Sequence, residues 1–430
     1  MDSHVKVAVR MRPLILSEKE EKSAVHWKMK APASIYPVAY PSHVFEYTHV
    51  FTEKDDNEII YSKFCSPIIQ SVVKGFNGAI IAYGQISSGK TFTMMGDDDL
   101  KIDGIIHFSI YDLFKLFENE FDSLYFMRIA CFEVHGGKMR DLLSDSNEYL
   151  PTTEKIGRVK WPLLTRYTVQ KPQDIFNYIK EAQNKRETKC TLKNKNSSGS
   201  SLIIDLLIES ASPACAEVQN VAKLSHLCFV DLAGNSEDFQ PHETGSISET
   251  SQIVRMQLRQ VIQHLENNKG KSQFIIDQDA PRLKIYDHVL AGNFVTSIIC
   301  TVSPTNLHET FGYLQIASLA KCLKNKPALT KTNSNDAQLV SILNQFGQLV
   351  GEMRAAEHWN HHQCRNLEIK LARFQKFWNI HFLCVYKTKH LHSKKMSGCS
   401  NELRCRKSLP QQPFIYRFCS LATYEPKKRV

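Results

Sequence analysis

Short apolar or alternating segments recur along the first 330 residues, and each has the length and composition of a β-strand. Strands are predicted at 5–9, 79–83, 126–134, 201–210, 224–232 and 295–302. Between them, apolar residues recur every three or four positions, which predicts amphipathic helices at 56–75, 254–265 and 310–323. Strands that alternate with helices indicate an α/β fold: a central, mostly parallel mixed sheet flanked by helices on both faces.

Beyond about residue 330 the hydrophobic pattern changes. Apolar residues recur here at alternating spacings of three and four positions, which is typical of a coiled-coil seam and lasts for about two heptads. They are Leu339, Ile342, Phe346, Leu349 and Met353. Two interpretations stay open: residues 339–353 join two copies as a homodimer, or they form a helix that packs on the main domain. We therefore divide the chain into a main domain at 1–330, a helical neck with a short coiled-coil-like segment at 331–383, and a tail at 384–430.

Positive charge is concentrated in that tail. The whole chain has 54 Lys and Arg residues against 44 Asp and Glu residues, a net charge of +10, whereas residues 384–430 alone hold 11 basic and two acidic residues. The rest of the chain is therefore nearly neutral, and we expect no DNA partner for it. We expect the tail to be a disordered end, with an acidic protein surface, nucleic acid or anionic lipid as alternative ligands.

The composition is that of a soluble globular protein, with 42% hydrophobic and 23% charged residues. No stretch approaches the roughly 18 apolar residues that a membrane-spanning helix needs. Met1 leads directly into the first predicted strand, so we predict no secretory signal peptide. The 12 Cys residues include no Cys-x-x-Cys pair, which argues for a reducing compartment and against a zinc finger.

The residues after the strand at 79–83 match the phosphate-loop pattern: Gly84, Gln85, Ile86, Ser87, Ser88, Gly89, Lys90 and Thr91. The glycines let backbone N–H groups turn toward phosphate oxygens, and the N-terminus of the following helix adds partial positive charge. Lys90 is expected to reach the outer phosphates, and the Thr91 hydroxyl is expected to ligate Mg²⁺.

Such a site needs a second acidic group on the metal side, at the end of another strand. The apolar run at 227–230 ends in Asp231, and Gly234 follows it. We expect Asp231 to hold the Mg²⁺ shell and the Gly234 amide to approach a γ-phosphate. A lone apolar run that ends in Asp is weak evidence, but its combination with the phosphate loop is strong.

Several motifs together resemble a kinesin motor domain, over residues 4 to about 325. They are Arg10-Met11-Arg12-Pro13, the phosphate-loop segment 78–94, Arg140-Asp141-Leu142-Leu143, Asp231-Leu232-Ala233-Gly234 and a helix with Glu309-Thr310 and Ala320-Lys321. Segments 78–94 and 297–324 are most similar to the centromere-associated, CENP-E-like branch. The resemblance implies a phosphate-loop NTPase motor fold, ATP or ADP with Mg²⁺, microtubules (tubulin) as partner, and a place in the cytoplasm on the cytoskeleton, at the spindle or kinetochore.

The resemblance also implies residue roles. Arg10, Arg12 and Pro13 would border the adenine, and Phe92 would stack near it, with core packing as the alternative role of Phe92. Ser197 would lie near the attacking water and Ser198 on Mg²⁺. The expected catalytic residues are thus Lys90, Ser197, Asp231 and Gly234; the expected metal ligands are Thr91, Ser198 and Asp231; the nucleotide-binding residues are Arg10, Arg12, Pro13 and Gly84 to Phe92.

The resemblance identifies two switch segments, switch I at residues 197–201 and switch II at residues 231–236, and both depart from the kinesin pattern. Where the family has Ser-Ser-Arg-Ser-His, this chain has Gly199 at the Arg position and Ser201 at the His position. The Glu that pairs with that Arg when the site closes is Ser236 here, and Glu237 lies one residue later. A preorganised polar contact in a closed site contributes about 3 kcal/mol. We therefore expect nucleotide binding to survive and hydrolysis to be slow.

The tubulin-facing segments depart as well. Gln278 and Pro281 stand where kinesins carry Arg and Lys, and the loop at 238–249 is acidic. Against an acidic filament these changes reduce steering and affinity. The sequence thus favours an ATP-dependent microtubule motor with weakened hydrolysis. The alternatives are a nucleotide-binding microtubule adaptor with little turnover and a phosphate-loop NTPase without a filament partner.

Overall fold

The computed structural model describes residues 3–30, 32–119, 124–135, 138–146, 149–150, 164–190, 200–211, 221–233, 259–260, 262–263, 289–290 and 293–333. The chain divides into two compact units. The first comprises residues 1–116, 125–210 and 223–331, and it contains all the residues of the candidate site discussed below. The second comprises 117–124, 211–222 and 332–430, of which only short element ends are described. None of the described helices combines the length and the apolar character needed to cross a membrane.

The strands, in chain order, are β1 (Ser3–His4), β2 (Lys6–Met11), β3 (Trp27–Lys30), β4 (Ser34–Pro37), β5 (Phe45–Glu46), β6 (His49–Phe51), β7 (Asn77–Gly84), β8 (Gly96–Asp97), β9 (Ile102–Asp103), β10 (Leu124–His135), β11 (Lys138–Asp141), β12 (Tyr149–Leu150), β13 (Tyr167–Val169), β14 (Ser201–Ala211), β15 (Val221–Asp231), β16 (Phe294–Val302), β17 (Lys324–Asn325) and β18 (Thr330–Asn333). The six strands predicted from the sequence are all present, with ends that shift by up to three residues.

The main sheet has the order β12-β11-β10-β14-β15-β7-β16-β2-β6, and β13 pairs with β10. The pairs from β15 through β7, β16 and β2 to β6 are parallel. The pairs β14–β15, β10–β11, β11–β12 and β10–β13 are antiparallel. The predicted mixed sheet is confirmed, and its parallel part surrounds β7, the strand that leads into the phosphate loop.

The described helices are α1 (Leu16–Glu20), α2 (Asn57–Ile60), α3 (Ser66–Val73), α4 (Lys90–Met95), α5 (Ile105–Asn119), α6 (Pro172–Cys190) and α7 (Leu307–Ala320). The predicted helix at 56–75 is interrupted by a π-helical turn at Tyr61–Cys65. Helix α7 begins three residues before its predicted start, because the Asn306 side chain accepts a hydrogen bond from the Glu309 backbone and caps it. The predicted helix at 254–265 is helical at the four positions that the structure describes.

Alternate residues of β7 pack on opposite faces of the sheet. Gly78 faces α3 so closely that a Cβ there would lie 2.6 Å from Ile68 and Val72 side-chain carbons. On the other face Tyr83 packs against Tyr313 of α7, with ring centroids 4.9 Å apart. Burial on both faces fixes the strand, and with it the position at which the phosphate loop starts.

Candidate nucleotide site

The phosphate loop connects the buried end of β7 to the first turn of α4. Gly89, the residue that caps α4, has φ 92°, and a Cβ at this position would project into open space. Side chains rarely tolerate this left-handed backbone, so the turn requires glycine. The result is the strand–loop–helix arrangement that the sequence predicts, with the N-terminus of α4 directed at the loop.

Neutral hydrogen bonds hold the loop to the neighbouring β16 and α7. Ser88 Oγ lies 2.6 Å from Thr301 Oγ1 of β16 and donates to the Gln85 carbonyl at 2.7 Å. Thr310 Oγ1 of α7 donates to Gln85 Oε1 at 2.9 Å. Since Ser88, Gln85 and Thr310 are all buried, the loop keeps its shape through contacts that need no ligand.

Lys90 is buried with its ammonium directed at the loop. Its Nζ donates to the carbonyl oxygens of Gly84 at 3.0 Å and Gln85 at 2.7 Å. Burial lowers the pKa of Lys90 to about 8, against the opposing attraction of Asp231. An ammonium held by two neutral carbonyls in a poorly solvated place is a strong site for an anion.

Thr91 and Asp231, the two described residues predicted to hold the metal, meet in the structure. Thr91 Oγ1 donates to Asp231 Oδ2 at 2.7 Å, although 140 residues separate them. Asp231 is only 3% exposed, and its Oδ1 atom has no hydrogen-bond partner among the described residues. A hydroxyl beside a buried carboxylate oxygen with unused acceptor capacity is a donor set that suits Mg²⁺.

Arg10 lies beneath the Phe92 ring. Its guanidinium is 5.2 Å from the ring centroid and donates to Asn57 Oδ1 at 2.7 Å and Thr93 Oγ1 at 2.5 Å. Burial lowers the pKa of Arg10 to about 10, against the attraction of Asp56 and Asp55. The structure thus shows Arg10 as a support that fixes the Phe92 ring from one side by a cation–π contact.

Arg12 connects the phosphate loop to α1. Its Nε donates to the Ser87 carbonyl at 2.7 Å, while its other nitrogens form a two-pronged ion pair with Glu18, both distances being 2.7 Å. Pro13 is exposed, and its carbonyl accepts from Arg12 at 2.8 Å. The hydrogen bonds from Arg12 lower the pKa of Glu18 to about 2. Sequence reasoning missed Glu18, although an acidic residue at the third helical position is a capping signal.

The switch side of the site is described only in part. The predicted residues Ser197, Ser198 and Gly234 lie outside the described residues, as do Gly199, Ser236 and Glu237. The neck segment 339–353, the tail and the tubulin-facing segments 238–249 and 277–284 also lie outside them. The flanking residues are described: Ser201 Oγ accepts a hydrogen bond from the Ala233 backbone at 2.9 Å, which ties the start of β14 to the residue before Gly234.

Arg186 of α6 is a further site residue that sequence reasoning missed. Its Nε donates to Ser200 Oγ at 2.9 Å, its Nη2 donates to the Ser200 carbonyl, and its Nη1 lies 3.9 Å from Asp231 Oδ2. Arg186 is 6% exposed. In the sequence it is one of several basic residues in a polar helix, and nothing in its spacing distinguishes it from its neighbours.

A phosphate loop after a parallel strand, with an acidic residue at the end of the adjacent parallel strand, defines the core of a phosphate-loop NTPase. The family profile of the kinesin motor domain matches residues 10–323, and the chain belongs to this family. The resemblance seen in the sequence is therefore confirmed.

Relatives of known identity agree with this assignment. Human centromere-associated protein E is 33% identical over 344 residues, which cover 78% of this chain and 13% of that protein. The rice (Oryza sativa subsp. japonica) kinesin-like protein KIN-7L is 32% identical over 327 residues, covering 75% of this chain and 50% of the relative. The chain thus spans half or less of the length of these curated relatives.

Solved kinesin structures share the fold. A fast kinesin has a TM-score of 0.66 at 27% identity, over 77% of this chain and 95% of that one. A KIF14 dimer, solved with AMP-PNP in complex with a microtubule, has a TM-score of 0.66 at 26% identity, over 80% of this chain and all of that one. The match confirms the motor-domain fold.

Proposed function

We propose that the chain is an ATP-binding motor domain that couples ATP hydrolysis to movement along microtubules, with weakened hydrolysis. The observation that carries the proposal is the convergence of Lys90, Thr91 and Asp231 at the mouth of an ordered phosphate loop. Membership of the kinesin family supports the microtubule as the partner, and one solved relative is in complex with a microtubule.

We assign the residue roles as follows. Lys90 and the amides of Gly84 to Thr91 bind the phosphates, and Arg10, Arg12, Pro13 and Phe92 frame the base side. Thr91, Ser198 and Asp231 hold Mg²⁺, which supplies positive charge that offsets the charge of the phosphates. Ser197 orients the attacking water, and the Gly234 amide contacts the γ-phosphate. The proposed catalytic residues are therefore the four expected from the sequence: Lys90, Ser197, Asp231 and Gly234.

Weakened hydrolysis follows from the residues at two positions. Gly199 and Ser236 cannot form the Arg–Glu ion pair that closes the site in the kinesin pattern. If that loss removes most turnover, the chain is a microtubule adaptor that binds nucleotide without moving, and this is the second candidate function. Gly199 and Ser236 therefore favour this adaptor function as well.

The proposal extends to the rest of the chain. We retain a motor domain at 1–330, a helical neck at 331–383 that pairs two copies through 339–353, and a basic tail at 384–430. The family and its relatives support a place on the cytoskeleton in the cytoplasm. Human centromere-associated protein E is among the most similar relatives, which supports the spindle or kinetochore as the narrower location.

Steady-state ATPase measurements with and without microtubules test the proposal. A weakened motor should show slow basal turnover that microtubules stimulate, whereas the adaptor should co-sediment with microtubules without stimulated turnover. Failure to co-sediment at low salt would leave an NTPase without a filament partner and refute both candidate functions.

Because the excess charge lies in residues 384–430, removal of these residues should weaken microtubule binding and its salt dependence. Unchanged, salt-resistant binding would place the affinity on the motor surface.

A further inference from the structure

Arg186 contacts the residue that follows, in the sequence, the position at which this chain lacks the switch I arginine of the kinesin pattern. The residue that it holds, Ser200, directly follows Gly199. Arg186 belongs to α6, a regular helix, so its backbone position is set by packing and not by the switch segment. A buried guanidinium on a helix therefore contacts Ser200, the residue at which the described part of the chain resumes before β14.

The Arg186 side chain connects two parts of the site. Two of its nitrogens contact Ser200, through the side-chain oxygen at 2.9 Å and through the carbonyl. A third, Nη1, lies 3.9 Å from Asp231 Oδ2, the oxygen that also accepts from Thr91. The planar guanidinium can make these contacts together because its five N–H donors have a fixed arrangement.

A second hydrogen bond lies next to the contacts of Arg186 with Ser200. Ser201, which stands at the family's histidine position, accepts the hydrogen bond of the Ala233 N–H, and both residues are buried. The dipeptide Ser200–Ser201 is thus tied on one side to α6 and on the other to the two-residue extension of β15. These contacts connect the start of β14 to the switch II segment, although position 199 carries no charged side chain.

We propose that Arg186 is a positioning residue that holds Ser200 and the Asp231 carboxylate in register. The inference rests on the proposed nucleotide function. Arg186 acts through Asp231, a proposed metal-side residue, and partners of that kind orient the carboxylate that faces the ion.

The test measures how much Mg²⁺ strengthens the binding of a fluorescent ADP. Affinity is determined for the full chain in Mg²⁺ and in EDTA, and the ratio of the two reports the metal side of the site. In Arg186→Met we expect this ratio to fall about 10- to 100-fold, with the affinity in EDTA unchanged. Arg186→Lys should not restore it, because one ammonium cannot bridge Ser200 and Asp231.

Arg128→Met provides the matched control. Arg128 also forms an ion pair in the main sheet, with the buried Glu209 at 2.5 Å, but neither residue touches the phosphate loop or Asp231 in any described contact. It should lower the melting temperature and leave the Mg²⁺ ratio unchanged. Adding Arg186→Met to Asp231→Asn should produce no further loss in the ratio beyond that of Asp231→Asn alone, because Arg186 acts through the Asp231 carboxylate.

An unchanged Mg²⁺ ratio in Arg186→Met would overturn the inference. So would an equal loss of affinity in Mg²⁺ and EDTA, since that pattern indicates a purely structural role. If Arg186→Met does not fold, Arg186→Lys decides the matter: it keeps the charge but cannot bridge Ser200 and Asp231, and a folded variant with a normal ratio would refute the inference. If the unaltered chain binds no nucleotide at all, the proposed function fails instead.

Discussion

The two sides of the candidate site are built differently. On the phosphate-loop side, neutral hydrogen bonds join Ser88 and Gln85 to β16 and α7, and the cations Lys90 and Arg12 donate to loop carbonyls. On the switch side the contacts involve charge, with Asp231 shared between Thr91 and Arg186. The conformation of the loop side is held by contacts within the protein. On the switch side, the buried Asp231 Oδ1 atom has no hydrogen-bond partner among the described residues.

This difference separates binding from turnover. A loop that is ordered by contacts within the protein is preorganised, and binding energy need not be spent on shaping it. A carboxylate whose partners are a hydroxyl and a guanidinium must exchange or rearrange contacts when a metal and a phosphate arrive. Substitutions on the loop side should therefore act on affinity with or without Mg²⁺, whereas substitutions on the switch side should act on rate and on the strengthening of binding by Mg²⁺.

The largest effect is expected from Lys90→Ala on the loop side. Removing a buried ammonium that faces the phosphates should weaken fluorescent nucleotide binding by about 100-fold or more. Lys54→Ala, which removes an exposed lysine outside the site, is the control and should bind normally. Unchanged affinity in the Lys90 variant would remove the phosphate-loop assignment and with it the comparison between the two sides.

The next largest effect is expected from restoring the closing ion pair on the switch side. Gly199→Arg together with Ser236→Glu should raise ATP turnover by up to about 100-fold, while nucleotide affinity changes little. Each single change should do much less, because an unpaired charge in the site cannot form the contact. A double-mutant cycle of ATPase rates measures the coupling. Additive effects, or wild-type turnover equal to that of an ordinary kinesin, would contradict the prediction.

A pH titration of affinity is expected to show a smaller effect on the loop side. Burial sets the pKa of Lys90 near 8 before ligand binds, and phosphate should raise it, since it favours the charged form. Affinity should be constant below pH 8 and should fall by up to about tenfold per pH unit above it. Lys90→Arg keeps its charge and should give a flat profile. A flat profile in the wild type would show that Lys90 is not the group that titrates.

The smallest effect is expected from Glu18→Gln, which alters the contact between Arg12 and the loop. Because the folded-state pKa of Glu18 is about 2 and its ordinary value is 4.5, its stabilisation is present above pH 4.5 and is lost as pH falls toward 2. At neutral pH the variant should lose about 1 kcal/mol of unfolding free energy, and its stability should depend less on acid. Glu20→Gln, an exposed change on the same helix, is the control; equal denaturation curves for the two would contradict the prediction.

The sequence by itself determined the local parts of this protein. A buried strand, a glycine-rich turn and a helix are adjacent along the chain, so their pattern predicts the phosphate loop and the roles of Lys90 and Thr91 in it. Asp231 could be selected because an acidic residue at the end of an apolar strand is a local feature as well. The family resemblance followed from such motifs, and the match to the kinesin family confirmed it.

Only the tertiary structure decided which distant residues meet. The parallel register of β15 against β7 brings Asp231 to Thr91, and the packing of α6 brings Arg186 to Ser200 and Asp231. Folding also places the Arg10 guanidinium against the Phe92 ring and brings Glu18 into an ion pair with Arg12. Periodicity reports which face of an element is buried, but the identity of the partner across that face depends on strand order and helix packing, which the local pattern does not contain.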